Sequence, residues 1–97
     1  MISTQTITQQ LAQHQPVLSN TGDSHAAVPL ILDSAAPTGD PEIVFIERAR
    51  VLSDPWSGHI AFPGGRCSPD DQLPQDTAVR ETEEEIGIDL SASRLLG

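Results

Sequence analysis

Lysine is absent from this 97-residue chain, and its five arginines stand against fourteen aspartates and glutamates, for a formal net charge of −9. A surface of that sign repels phosphate backbones and anionic headgroups, which excludes nonspecific nucleic-acid and membrane-surface binding as leading expectations. The absence of lysine also excludes a Walker-type Gly-Lys-Ser/Thr phosphate loop. Cysteine occurs once, at Cys67. One thiol builds neither an intramolecular disulfide framework nor, by itself, a Cys-based zinc site. No apolar run approaches the ~20 residues of a spanning helix. The N-terminal stretch has neither the basic start and apolar centre of a secretory signal nor the arginine enrichment of a mitochondrial presequence, so the expected compartment is the cytosol. The length suits a single folded unit.

What is present is organised unevenly. Ile2, Ile7, Leu11 and Leu18, with Ser3 or Thr4 as N-cap and Pro16 as terminator, predict a short helix over Thr4–His14; a frayed Gln-rich extension is the competing reading. From His25 the run Ala-Ala-Val-Pro-Leu-Ile-Leu-Asp reads as a strand buried on both faces, with Pro29 favouring an edge or bulge. Ser34–Pro41 is turn-rich, and Glu42–Glu47 reads as a second strand, so the two runs predict a hairpin with a long loop. His59–Phe62 is a third extended piece, ending at Pro63-Gly64-Gly65. The clearest helix is Thr77–Ile86, with Asp76 as expected N-cap and Gly87 as the left-handed terminator.

At about 100° per residue, Val79, Thr82 and Ile86 share one stripe of that helix, while Glu81, Glu84 and Glu85 crowd the opposite side. Between Asp70 and Asp89 lie eight acids and one base, Arg80, so a net −7 is concentrated there. Carboxylates one turn apart repel, and a hard divalent cation such as Mg²⁺ or Mn²⁺ is the natural counter-charge, because it takes oxygen ligands. An acid run alone is usually a solvated face. The glycine corner ahead of the helix changes that weighting, since it lets backbone approach a ligand and offers carbonyl oxygens. His59 reads as a structural hydrogen-bonder and Cys67 as an unactivated thiol, while Trp56 is either a core anchor or a stacking surface.

The stretch from Phe62-Pro-Gly-Gly-Arg to Arg80-Glu-Thr-Glu-Glu-Glu-Ile-Gly-Ile88 resembles the Nudix box, Gly-x5-Glu-x7-Arg-Glu-U-x-Glu-Glu-x-Gly-U, where U is bulky and apolar. Its second half fits throughout except that Thr82 stands where an aliphatic residue is usual. In the first half Asp71 replaces Glu, and eight residues separate it from Arg80 instead of seven. That insertion, with Gly58-His-Ile-Ala-Phe-Pro-Gly-Gly65, resembles the coenzyme A diphosphatase branch of the family. The branch's upstream pattern is matched at Val44–Ala49 and Gly58–Phe62, but Ser53 occupies its second arginine position and the segment up to Gly58 is one residue longer.

The resemblance implies an α/β fold, an α/β/α sandwich around a mixed sheet, with residues 1–24 as an N-terminal extension and 25–97 as the N-terminal part of the domain. It implies hydrolysis of a nucleoside diphosphate linked to another moiety, with coenzyme A or a derivative as one substrate. ADP-sugars, dinucleoside polyphosphates, or metal binding without turnover are the alternatives. It implies Mg²⁺ or Mn²⁺ as cofactor, held by Glu81, Glu85 and the Gly64 carbonyl. Glu84 and Arg80 stand in the catalytic set, Glu84 as a further ligand or water-orienting group and Arg80 as brace of the helix face. Arg48, Gly65 and Arg66 stand toward a small nucleotide substrate. Complete domains of this kind continue past the box helix, so the chain alone is expected to be marginally stable, weakly active or inactive, with the Val79/Thr82/Ile86 stripe poorly covered.

Overall fold

The computed structural model describes residues 3–17, 25–35 and 40–97. Helix α1, Thr4–Gln13, starts where Ser3 caps it: the Ser3 hydroxyl accepts from the Thr6 N–H at 3.1 Å. It ends at His14, two residues before Pro16, with the His14 N–H donating to the Leu11 carbonyl. Ile2 and Leu18 of the expected apolar pattern, and positions 36–39 of the expected turn, lie outside the described residues.

Six short strands follow: β1 (Ala26–Ala27), β2 (Leu32–Asp33), β3 (Glu42–Ile43), β4 (Ile46–Glu47), β5 (Ile60–Ala61) and β6 (Gly65–Arg66). They pair antiparallel as β1 with β6, β2 with β3 and β4 with β5. With α1 and the second helix, α2 (Pro74–Ile86), they make the mixed α/β fold the sequence implies. The expected hairpin is β2–β3, with Leu32 opposite Ile43 and Asp33 opposite Glu42. It is extended by a bond from the Val44 N–H to the Ile31 carbonyl at 3.0 Å.

The run from His25 to Asp33 is not one strand buried on both faces. It divides into β1 and β2, which have different partners, and Val28 and Leu30 between them are each 58% exposed. Pro29 supplies the reason: it has no N–H to donate to a ladder, so pairing is interrupted there and the chain changes partner. Glu42–Glu47 divides in the same way, its first half pairing back to β2 and its second half forward to β5.

Helix α2 begins at Pro74, three residues before the expected Thr77, and Asp76 is not its N-cap. Pro74 suits the first helical position, where a missing N–H costs nothing and the fixed φ is already helical. Asp76 instead sits in the first turn, and its carboxylate reaches back to accept from the N–H groups of Gln72 at 3.1 Å and Leu73 at 2.9 Å. This satisfies amides outside the helical ladder and places negative charge at the positive end of the helix dipole. The helix stops at Gly87, at φ 72° and ψ 12°, whose N–H donates to the Glu83 carbonyl at 2.9 Å.

The core is thin and lies on α2, which packs against β1, β6 and a single 3-10 turn at Leu90–Ala92. Thr77, Ala78 and Thr82 of the helix are buried, as is Pro63 of the glycine corner. Thr82 is fully covered, contrary to the expectation for its stripe, while Val79 and Ile86 are half-buried. Its hydroxyl donates to the Ala78 carbonyl one turn back at 2.6 Å, so a polar residue is satisfied at an otherwise apolar position without leaving the helix. Among the described residues no buried side-chain polar atom lacks a partner.

Because the Thr82 hydroxyl bonds only to a carbonyl of its own helix, Thr82→Val should leave the melting temperature within about 3 °C of the parent chain or raise it. Thermal unfolding followed by circular dichroism checks this, and a clear fall would show that the hydroxyl carries more of the packing than its geometry indicates.

Candidate functional site

The loop from Cys67 to Leu73 joins the glycine corner to α2, and Asp71 organises it. Its side chain is only 7% exposed. Oδ2 accepts from the Ser68 N–H at 2.8 Å, from the Thr77 hydroxyl at 2.8 Å and from Arg80 Nη2 at 2.9 Å; Oδ1 accepts from Arg80 Nε at 3.3 Å. Arg80 first, then the Ser68 amide and the Thr77 hydroxyl, hold this carboxyl well below the usual carboxylate range, against the opposing effect of desolvation. Asp71 in turn is the main cause that raises Arg80 above its ordinary value, followed among the raising causes by Glu81.

Arg80 is the hub of the site. Beyond the fork to Asp71, its Nη2 donates to the Arg66 carbonyl on β6 at 3.1 Å. Its Nη1 meets Glu81 Oε1 at 3.0 Å and both carboxylate oxygens of Glu84 at 3.5 Å. One guanidinium thus ties together the loop, the strand leaving the corner, and two carboxylates of the acid face. Five donors in a rigid plane make arginine suited to this, where lysine would offer a point charge.

At the corner, Gly64 adopts φ +142°, and a Cβ there would lie 2.5 Å from the Ala27 carbonyl oxygen and 2.7 Å from Val28 Cα. Only glycine allows β1 and the corner to approach so closely. Gly65 is different: a Cβ on it would fall 2.6 Å from Cδ and 2.7 Å from Oε2 of Glu81. The Glu81 carboxylate therefore rests directly on the bare Cα of Gly65, in a space that a side chain would fill. Its side chain is 20% exposed, against 58% for Glu84. Glu85 is exposed, and its side chain makes no hydrogen bond or ion pair among the described residues.

The other expected site residues are placed as follows. Arg48, after β4, pairs with Asp54 at 2.8 Å inside the loop between β4 and β5. Asp54 also accepts from the Trp56 N–H at 2.9 Å, so this guanidinium is an internal tie of that loop. Arg66 is exposed on β6 immediately after the corner, and among the described residues no ion pair holds its guanidinium. Glu81 and Arg80 are brought to the corner together; Glu84 reaches it only through Arg80, and Glu85 stands apart. Asp71 belongs to the site but was absent from the expected set of ligands and contacts. Its signal in the sequence is its alignment with the box position usually held by glutamate, together with a single cation on an acidic helix.

The groups on this face that could ligate a metal are all carboxylate oxygens, which is the chemistry of a hard divalent cation. Helical spacing puts Glu81, Glu84 and Glu85 on one side, and the Glu81 carboxylate occupies the Gly65 cradle. The donor set therefore fits such an ion in type. The side chains are not drawn to one focus: among the described residues no group of three or more His, Cys, Asp or Glu is arranged to hold a metal. Carboxylates one turn apart repel, and Arg80 reaches only two of them, Glu81 and Glu84.

The NUDIX domain family matches residues 23–97. A mitochondrial coenzyme A diphosphatase of Mus musculus, NUDT8, is 35% identical over 72 residues, covering 74% of this chain and 34% of the mouse protein. Its human counterpart of the same name is 32% identical over 72 residues, covering 74% of this chain and 30% of the human protein. The Nudix hydrolase NudL of Yersinia enterocolitica is 40% identical over 88 residues, covering 91% of this chain and 43% of the bacterial protein. The chain spans less than half the length of these curated relatives. No solved structure matches it.

The two glycines of the corner should separate in their effects. Gly64→Ala strikes backbone and imposes an unfavourable φ, so the melting temperature should fall on the order of 10 °C; Gly65→Ala meets only the movable end of Glu81 and should cost a few degrees at most. Equal losses would mean that the corner does not pack as described.

Acid titration tests the Asp71 anchor. Its folded value lies below the ordinary 3.8, so its stabilisation is fully present above that pH and is lost as pH falls through the lower folded value. Stability of the parent chain should decline more steeply below about pH 4 than that of Asp71→Asn, which has no proton to take up there. Urea midpoints measured at a series of pH values make the comparison, and parallel curves would remove Asp71 from the account.

Proposed function

We propose, from the premise that the chain belongs to the Nudix domain family, that it carries the metal-binding helix of a hydrolase acting on the diphosphate bond of a nucleoside diphosphate linked to another moiety. The observation that carries this reading is the Glu81 carboxylate seated on Gly65, with Glu84 and Glu85 on the same face of the next turn. In this proposal Glu81 and Glu85, with the Gly64 carbonyl, hold Mg²⁺ or Mn²⁺. Glu84 is a further ligand or orients the attacking water.

A divalent cation so held supplies neutralisation of the diphosphate oxygens and a more acidic water. The remaining roles belong to the chain. Arg80 braces Glu81 and Glu84 from within the helix. Arg66, unpaired and next to the corner, offers charge to a substrate phosphate, and Gly65 lets that phosphate approach backbone. Arg48 joins the substrate side only if its pair with Asp54 opens.

Coenzyme A or a derivative is the substrate we favour. The mouse and human relatives are named coenzyme A diphosphatases, and the one-residue insertion together with Gly58–Gly65 resembles that branch. An ADP-sugar or dinucleoside polyphosphate is the competing substrate class. The proposal takes residues 25–97 as the N-terminal part of the domain, 1–24 as its extension, and the cytosol as the compartment, although the mouse relative is named mitochondrial. No helix among the described residues is long and apolar enough to cross a membrane. The second reading is cation binding without turnover.

Glu85→Gln removes charge while keeping shape. It should lower Mn²⁺ affinity at least tenfold, a loss typical of disturbing a metal site, with the melting temperature unchanged. Calorimetric titration with Mn²⁺, alongside product release from coenzyme A, an ADP-sugar and a dinucleoside polyphosphate, checks the assignment. Unchanged Mn²⁺ binding in the variant would refute the ligand set; Mn²⁺ binding with no product from any substrate would establish the second reading.

A further inference from the structure

We infer that Trp56, on the loop between β4 and β5, is the stacking platform for the nucleobase of the substrate, with the Arg50 guanidinium of the same loop as the partner of a phosphate on that nucleotide. The inference rests on the reading of the chain as a hydrolase of nucleoside diphosphate conjugates, and it adds the part of the site that holds the ring. Coenzyme A, an ADP-sugar and a dinucleoside polyphosphate all carry such a ring.

The sequence leaves Trp56 as a core anchor or a stacking surface, and the structure decides between them: the side chain is 61% exposed. His59, itself exposed, meets the indole with ring centroids 5.7 Å apart and planes crossed at 76°. Among the described residues no aromatic ring is stacked on Trp56. The backbone that carries it is fixed on both sides. The Trp56 N–H donates to Asp54 Oδ1 at 2.9 Å, and its carbonyl accepts from the His59 N–H at 3.1 Å. Asp54 is held in turn by Arg48 at 2.8 Å. The Gly58 N–H donates to the Arg48 carbonyl at 3.1 Å and the Arg48 N–H to the His59 carbonyl at 2.9 Å, which closes the loop at its base. The Ser57 hydroxyl crosses it, accepting from the Val51 N–H at 2.7 Å. A large, stiff aromatic side chain on a loop tied in this way loses little freedom when a flat ligand meets it.

The surroundings of Trp56 select a charged aromatic ligand over an apolar cover. Arg50 is 81% exposed and meets Glu47 only at 3.5 Å. Its guanidinium lies against Gly58, where a Cβ would stand 3.2 Å from Cζ and Nη1, and Gly58 turns the loop at φ +74°. Arg48 is committed to Asp54, so Arg50 is the cation of this loop that stays open to an anion. An apolar partner would have to strip water from that guanidinium without replacing it, whereas a nucleotide sets its phosphate against Arg50 and its base against Trp56. The loop also lies within reach of the corner. Five residues lead from His59 along β5 to Gly64, a span of at most about 18 Å, so a ring at Trp56 and a diphosphate at the glycine corner fit one substrate. Trp56 stands in the stretch where the chain departs from the branch pattern, with Ser53 at an arginine position and one residue more before Gly58, so the platform belongs to this loop and not to that pattern.

Trp56 is the only tryptophan of the chain, so its fluorescence reports on this position alone. With the full chain and no metal added, adenosine 3′,5′-bisphosphate should quench that emission saturably, and ribose 5-phosphate, which has no base, should leave it unchanged. By calorimetry, Trp56→Ala should bind the bisphosphate about tenfold more weakly or worse, while Trp56→Phe, which keeps a planar ring, should stay within about threefold of the parent chain. Arg50→Gln should weaken binding of the bisphosphate and leave binding of uncharged adenosine unchanged. Thermal melts control for folding, and Mn²⁺ affinity should be the same in all three variants as in the parent. Should Trp56→Ala unfold, the quenching titrations of the parent chain decide alone. Absence of saturable quenching, equal quenching by ribose 5-phosphate, or parental affinity in a folded Trp56→Ala would each overturn the inference. Mn²⁺ binding that depends on Glu85 in a chain that shows no quenching overturns this inference and leaves the metal ligands standing. Quenching in a chain whose Glu85→Gln variant binds Mn²⁺ unchanged supports the platform and overturns the ligand set.

Discussion

The ion pair between Asp71 and Arg80 is the constraint on which the rest of the site depends. Among the described residues it is the ion pair with the most shielded carboxylate, the Asp71 side chain being 7% and Arg80 34% exposed. Exposed pairs are usually weak because water screens them and long side chains lose freedom in making them. This one is forked, and the carboxylate is fixed by two further donors before the arginine arrives. Its consequence is positional: the corner, the loop and the helix meet at one guanidinium, and Glu81 and Glu84 are placed relative to it.

Packing and electrostatics share the work unequally. The buried residues of α2 are small or polar, Thr77, Ala78 and Thr82, and large apolar side chains such as Leu30, Phe45 and Ile60 are half exposed or more. A helix with so little apolar cover depends on its ends and on its polar ties. Pro74 and Asp76 begin it, Gly87 ends it, and the Thr77 hydroxyl bonds to the same carboxylate that anchors Arg80. The residues that stabilise the helix are therefore the ones that aim the site.

Much of this was legible from residue order. The acid face, the glycine corner and the left-handed stop at Gly87 follow from spacing and from the conformations glycine permits, and the Nudix resemblance is confirmed by the family match over residues 23–97. Helix existence was read correctly and helix start was not. Asp76 has the chemistry of a cap, but it sits at the third helical position and reaches backwards to the Gln72 and Leu73 amides instead of forwards into the helix, and Pro74 suits the first position of that arrangement. Apolar runs misled in a different way. Continuous hydrophobicity across Pro29 reads as one buried strand, and it takes knowledge of the partner strands to see that the ladder changes hands there.

By itself the sequence determined composition-level and local properties: a surface hostile to polyanions, one helix with three glutamates on one side, and a corner that only glycine can turn. These follow from side-chain charge, from helical periodicity and from backbone sterics, all of which act over a few residues. Tertiary structure decided what those residues do to one another. It set Glu81 against Gly65, sixteen positions away, brought Asp71 and Arg80 together across nine, and left Glu85 in solvent. Distances of that kind depend on how a loop closes onto a helix, and loop closure is a property of the packed chain that no local pattern encodes.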